Sequence, residues 1–169
     1  MATLDLLPTD VTLAPTPMVQ LGGLVADSPS AVGPLVPEAY AQLFAFVGKH
    51  GLTVNGPLMT IYYETAPDGR TRFAVAVAVA DPKRPVPREG PIQLITRPAM
   101  RARQFLHVGP YAGLSSTYGR ITDWMLAHGD MREPADWAHF MPMWEEYLDD
   151  PGMTPESELR TRIVLPLPE

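Results

Sequence analysis

Cysteine is absent from this chain of 169 residues. That removes disulfides, thiol nucleophiles and Cys-ligated zinc together. Long apolar runs are missing too: none approaches the roughly 18 residues that suggest a membrane span. The segment Met1 to Asp10 has no basic side chain and carries Asp5 inside its short apolar stretch, so it lacks the plan of a signal peptide. A cytoplasmic protein with no membrane partner is the expectation. Basic residues are outnumbered, 13 Lys and Arg against 19 Asp and Glu, for a net charge of -6 and a pI near 5.1. Such a balance repels phosphates, and no run of Lys and Arg offsets it, so direct nucleic-acid binding is not expected. The histidines are few, at 50, 107, 128 and 139, and show no ligand spacing. Neither a metal nor a cofactor is expected.

What is present is the make-up of an ordinary globular protein, 46% hydrophobic and 19% charged. The length suits one domain, or one duplicated domain, better than two independent ones. Proline is the oddity, at 20 of 169 residues against a usual share of about 5%. The prolines collect at 8–37, at 82–98 and near the C-terminus, where they punctuate elements. Asp81 to Pro91 holds four prolines and five charges and reads as a connector at mid-chain.

The halves on either side match. Val32-Gly-Pro34 is followed by Tyr40, Leu43, Phe46, Val47 and His50-Gly51; Val108-Gly-Pro110 is followed by Tyr118, Ile121, Trp124, Met125 and His128-Gly129. Apolar residues at i, i+3, i+6 and i+7, closed by glycine, describe an amphipathic helix of about three turns with a C-terminal stop. A strand-like stretch precedes each helix, Val11 to Val25 and Ile92 to Val108. Two more follow: Leu58 to Glu64 and Phe73 to Ala80, joined by the Ala-Pro-Asp-Gly turn at 66–69, and in the second half Phe140 to Leu148 and Leu159 to Leu167. Phe73 to Ala80 alternates Val with Ala, which suits one face packed on a helix and room for a cavity at the other. The predicted fold is α+β: two tandem strand-helix-strand-strand repeats, about 11–80 and 92–168, with pseudo-two-fold symmetry and antiparallel sheets around a central pocket.

Polar and aromatic residues concentrate at Trp137, His139, Phe140, Met141, Met143, Trp144, Glu145, Glu146 and Tyr147. On a strand, Met143, Glu145 and Tyr147 share one face and Trp144 and Glu146 the other. Two adjacent carboxylates are costly to bury together, so one is expected in water, and the other either turns inward or is solvated with it at a strand edge. Ser115 and Ser116 sit where a helix-capping hydroxyl belongs. Gly22-Gly23 has no phosphate-loop context. His50 and His128 suit the negative ends of their helices.

Together, His107-Val-Gly-Pro-Tyr111, Tyr118 and Trp124, Glu145-Glu-Tyr-Leu-Asp-Asp-Pro151 and Arg162-Ile-Val-Leu-Pro166 resemble the GyrI-like family, the effector-binding domain of multidrug-sensing regulators. The resemblance runs from about Val11 onward and implies a pocket for small apolar or cationic molecules. It places Glu145 at the base, where a carboxylate among aromatic rings favours delocalised cations. Tyr147, Trp144, Met143, Trp124 and Tyr111 are the expected lining, with Tyr62 on the opposite wall as the partner of Tyr147 if Pro57 and Pro142 begin equivalent strands. About ten residues precede the first strand, so the chain looks like a stand-alone member without a helix-turn-helix. Stand-alone relatives include hydrolases of cyclopropane-bearing genotoxic natural products, in which Glu145 would activate water, and a gyrase inhibitor that acts on a protein partner.

Overall fold

The computed structural model describes Leu6 and residues 8–168; Met1–Asp5, read above for a leader, lie outside the described residues. The elements run β1 (Thr9–Leu13), β2 (Thr16–Ala26), α1 (Val32–Lys49), β3 (Val54–Thr65), β4 (Thr71–Val79), β5 (Ile92–Arg97), β6 (Met100–Val108), α2 (Leu114–Ala127), β7 (Met143–Tyr147) and β8 (Arg160–Pro166). The registered pairs are antiparallel, and the class is α+β. The chain forms two compact units. One spans Leu13–Met100; the other joins the described residues up to Thr12 to those from Arg101 onward.

In the unit of Leu13–Met100 the strand order is β3-β4-β2-β5. Phe73, Val75, Val77 and Val79 point to one face of β4. There they meet Val19 and Leu21 of β2 and Ala39, Leu43, Phe46 and Val47 of α1 in a single buried cluster. Burying each large side chain in that cluster is worth about 1.5–3 kcal/mol, which is what holds α1 to the sheet. The β3–β4 hairpin closes through the expected turn, with the Gly69 amide bonded to the Ala66 carbonyl at 2.8 Å. On the other face of β4 the alanines admit a very close neighbour. A Cβ built on Gly56 of β3 would stand 2.9 Å from that of Ala78.

In the other unit the order is β1-β6-β8-β7. The helix α2 buries Thr117, Ile121 and Met125, and Trp124 meets Phe105 of β6 edge-on at 5.6 Å. Arg103 of β6 closes the end near β1, bonding Asp10 at 2.7 Å and Asp130 at 2.8 Å.

Several expectations need correction. Each leading stretch is two strands, broken at Ala14-Pro15 and at Pro98-Ala99, where proline interrupts the ladder. At both breaks the chain passes from one unit to the other. Both helices begin before the predicted residues, and α1 contains Pro34 and Pro37. Pro34 sits in the first turn, where no amide partner is lost. Pro37 forfeits one bond to Gly33, which is exposed to water. The Val-Gly-Pro tripeptides are therefore not equivalent in place. The first opens α1, whereas Val108 ends β6 and Gly109 turns the chain at φ 133°. The predicted strand from Phe140 is shorter: Pro134–Phe140 is 3-10 helix and β7 starts at Met143. Ser115 and Ser116 lie inside α2, whose N-cap is Gly113 with no side-chain cap bond. Likewise Pro57 lies within β3, at an irregularity between Val54 and Leu58, and does not begin it. The helix ends do follow the pattern: His50 and His128 are the C-caps, and Gly51 and Gly129 follow at φ 60° and 77°, the left-handed stop that glycine adopts freely.

Candidate ligand-binding site

Alternation along β7 divides its five residues as the sequence indicates. Glu145 lies opposite Ile163 of β8, and Tyr147 opposite Thr161. Glu145 is only 4% exposed. Its two carboxylate oxygens accept from two phenols: the Tyr118 hydroxyl of α2 donates to Oε2 at 2.6 Å, and the Tyr147 hydroxyl to Oε1 at 2.8 Å. Charge-assisted O–H···O bonds of this length are the strong kind. Helix and strand are thus joined through one carboxylate.

Rings surround these two phenols. Tyr111 meets Tyr147 edge-on at 5.6 Å, and Trp137 meets Tyr118 at 5.8 Å. Trp137 is oriented by its indole N–H, which donates to Thr122 Oγ1 at 2.8 Å. Tyr111 lies at the surface, 37% exposed. Its hydroxyl is pushed above its usual pKa, first by burial and then by the charges of Asp149, Asp150 and Glu145. It therefore stays a neutral donor across the physiological range. Asp149 keeps its charge because the Arg160 guanidinium bonds it and holds its carboxyl below the usual range.

Deeper in the same layer, His107 Nε2 donates to the Pro110 carbonyl at 2.9 Å. In the neutral ring Nδ1 then accepts from the Thr117 hydroxyl at 2.6 Å. Thr161, between His107 and Tyr147 in the sheet register, is fully buried, and its Oγ1 has no hydrogen-bond partner among the described residues.

The opposite face of β7 is built differently. Glu146 accepts from Arg162 at 2.7 Å and from the Trp144 indole at 2.9 Å. Both carboxylates are therefore buried, at 4% and 8% exposure. The expectation that one of the two faces water is wrong. Arg162, opposite Glu146 on β8, supplies the compensating charge that a reading of β7 alone leaves out.

Among the expected lining residues, Glu145, Tyr147 and Tyr111 come together, with Met143 buried two residues away on the same face. Trp144 bonds Glu146 on the other face. Trp124 belongs to a separate stack, 3.8 Å from His128 and beneath Arg103 at 5.1 Å. Tyr62 lies in the other unit, packed on its apolar core. The chief omission from the expected lining is Tyr118. Its signal was available: a tyrosine on the apolar stripe of a helix needs a partner for its hydroxyl. Among the described residues no three His, Asp or Glu side chains are placed to hold a metal ion, and no helix is long and apolar enough to cross a membrane.

Comparison with known proteins follows the same lines. A family model, the GyrI-like small molecule binding domain, matches residues 8–168. The crystal structure of the EcmrR C-terminal domain is similar at 21% identity and TM-score 0.70, over 94% of this chain and 95% of that one. Against EcmrR in its complex with DNA, at 20% identity and TM-score 0.69, this chain spans 56% of the length. A hydrolase from Listeria innocua matches at 17% identity and TM-score 0.56, over 94% of this chain and 90% of its own. SAV2435 bound to tetraphenylphosphonium matches at 14% and 0.57, over 94% and 92%. At such identities these likenesses speak for the fold. No curated protein sequence matches the chain. With the family model covering nearly its whole length, the chain belongs to the GyrI-like small-molecule-binding domains.

Proposed function

We propose that this domain captures small organic cations with apolar aromatic bodies, and that Glu145 is the residue that meets their charge. The observation that carries the proposal is the Glu145 carboxylate, held at both oxygens by phenol hydroxyls within a group of aromatic rings. A phenol orients a carboxylate and, being neutral, leaves its charge in place. Rings beside it offer stacking and cation–π attraction. Tyr111, the exposed ring of the group, marks the side from which a ligand approaches.

The duplication read from the sequence bears on this. Both halves run strand, helix, strand, strand, as β2-α1-β3-β4 and β6-α2-β7-β8, and each unit has the same strand order once these are matched. The spacing that pairs Pro57 with Pro142 also pairs Thr60 with Glu145. The Tyr40 hydroxyl lies 3.3 Å from Thr60 Oγ1, as that of Tyr118 lies against Glu145. These correspondences support two copies of one unit, of which only the second carries a carboxylate at this point.

Tetraphenylphosphonium, the compound in the SAV2435 structure, is a suitable probe, with triphenylphosphine oxide as its neutral counterpart. Glu145→Gln should weaken the cation by roughly 1–3 kcal/mol and spare the neutral compound. Equal losses for both, or none for either, would overturn the assignment. The competing reading is hydrolysis, with Glu145 activating water and a tyrosine donating to the developing oxyanion. Incubation with a cyclopropane-bearing electrophile separates the two. Capture yields at most one equivalent of product. Multiple turnovers lost in Glu145→Gln would establish hydrolysis.

A further inference from the structure

A second site lies in the unit of Leu13–Met100 and owes nothing to Glu145. Two β-bulges lie on either side of Phe73 of β4. On β2 the register passes from Leu21↔Val75 to Leu24↔Phe73, so Gly22-Gly23 hold the extra residue, with Gly23 at φ 76°. On β3 it passes from Tyr62↔Phe73 to Glu64↔Arg72, so Tyr63 is the extra residue there. Bulges re-aim side chains and are over-represented beside functional sites. Here they open a cleft of about 360 Å³, within the roughly 300–1,000 Å³ of small-molecule sites.

Donors dominate its polar lining, and none of the lining residues is acidic. Arg72 carries a single bond to Glu64, at 3.2 Å between side chains more than half exposed, a pair that an incoming anion can displace at little cost. Arg88 spends only its Nε, on the Gly90 carbonyl at 2.8 Å, and has no ion pair among the described residues. Its terminal N–H groups remain available. Tyr63 accepts from Gln20 Nε2 at 2.6 Å and keeps its own proton to donate. Gln93, opposite Gln20 across β2 and β5, adds an amide. Leu24, Val25, Phe73 and Pro91 supply the apolar lining. In a chain of net charge -6, a cleft with two guanidiniums and no carboxylate stands out from the acidic surface.

We infer that this cleft binds a small organic anion, a carboxylate or phosphate monoester on an apolar body, with Arg72 and Arg88 on the charged group. Planar guanidiniums suit both headgroups. The test is titration of the whole chain with 2-naphthoate, 2-naphthyl phosphate and neutral 2-naphthamide, followed by calorimetry and by the backbone amide signals of Gly22, Gly23 and Leu24. Either anion should move those signals and bind at least about tenfold tighter than the amide; the tighter of the two names the headgroup. Arg88→Gln and Arg72→Gln should each weaken the anions about tenfold while the amide spectrum elsewhere stays that of the folded protein. Both substitutions are on exposed side chains, so the fold should survive them. Glu145→Gln should leave anion binding unchanged, so a failure of the cation assignment does not touch this one. Equal affinity for naphthoate and naphthamide, unchanged affinity in both arginine variants, or signal changes confined to β7 and α2 would overturn the inference.

Discussion

Replacing Tyr118 by phenylalanine removes one atom from the site and leaves nearly everything else. The ring still fills its place against Trp137, 5.8 Å between centroids, so packing is conserved and the loss is the 2.6 Å bond to Glu145 Oε2. A hydrogen bond to a charged group contributes about 1.5–3 kcal/mol, because its loss strands a buried acceptor. Glu145 is 4% exposed, so water does not readily take the vacated position. Tyr118→Phe should therefore lower stability by about 1.5–3 kcal/mol at pH 7, a fall in Tm of roughly 3–12 °C for a chain of this length. Urea unfolding followed by tryptophan fluorescence measures it. A double-mutant cycle with Glu145→Gln isolates the pair. In the glutamine background the bond is neutral to neutral and worth only about 0.5–1.5 kcal/mol, so the two losses should fall short of additivity by about 1 kcal/mol or more. A loss below about 0.5 kcal/mol, additive with Glu145→Gln, would refute the claim that this phenol fastens α2 to the carboxylate.

Two further predictions concern other parts of the chain. Gly56→Ala would place a methyl 2.9 Å from the Ala78 Cβ and should cost about 1–3 kcal/mol by overpacking; urea unfolding within about 0.5 kcal/mol of the parent would show that β3 and β4 part easily. The Asp10 carboxyl is held below its usual range, chiefly by its hydrogen bond from Arg103, against the opposing effect of burial. Its contribution is thus present above the unfolded value of about 3.9 and lost as pH falls through the lower folded one. Asp10→Asn should destabilise at pH 7 by under about 1 kcal/mol, given that the Asp10 side chain is 45% exposed, and the gap should close toward pH 2. A gap that persists at pH 2 would contradict it.

The helices were legible because a core-facing stripe repeats in sequence: Leu43, Phe46 and Val47 of α1 are buried where the period puts them, as are Ile121 and Met125 of α2. The helix starts were not, since Pro34 and Pro37 read as breaks, yet early in a helix proline loses few bonds. Face alternation on β7 was legible for the same reason as the helices. The compensation of Glu146 was not, because Arg162 sits 16 residues away and becomes a neighbour only through the β7–β8 register. The bulges at Gly22-Gly23 and Tyr63 lie further still from sequence reasoning. A bulge is a mismatch between two strands; the glycine pair in β2 hints at one, whereas Tyr63 in β3 carries no such sign. The part of Gly22-Gly23 in a cleft with Tyr63 and Arg88 depends on chain brought together from three distant places.

The contrast within β7 bears on the proposal that one of its two glutamates meets a ligand while the other serves the fold. Both are buried and both oxygens of each are engaged. Glu146 meets a guanidinium, so its charge is answered inside the protein, and removing Arg162 would leave a buried anion alone. Two bonds on Glu145 come from phenols, which hold the group in one orientation and are themselves neutral. Under the proposed assignment, a cation docking there would meet a carboxylate already ordered, with little side-chain entropy left to lose. By the same assignment, an arginine placed beside Glu145 would answer its charge inside the protein, as Arg162 does for Glu146, and would close the site to cations.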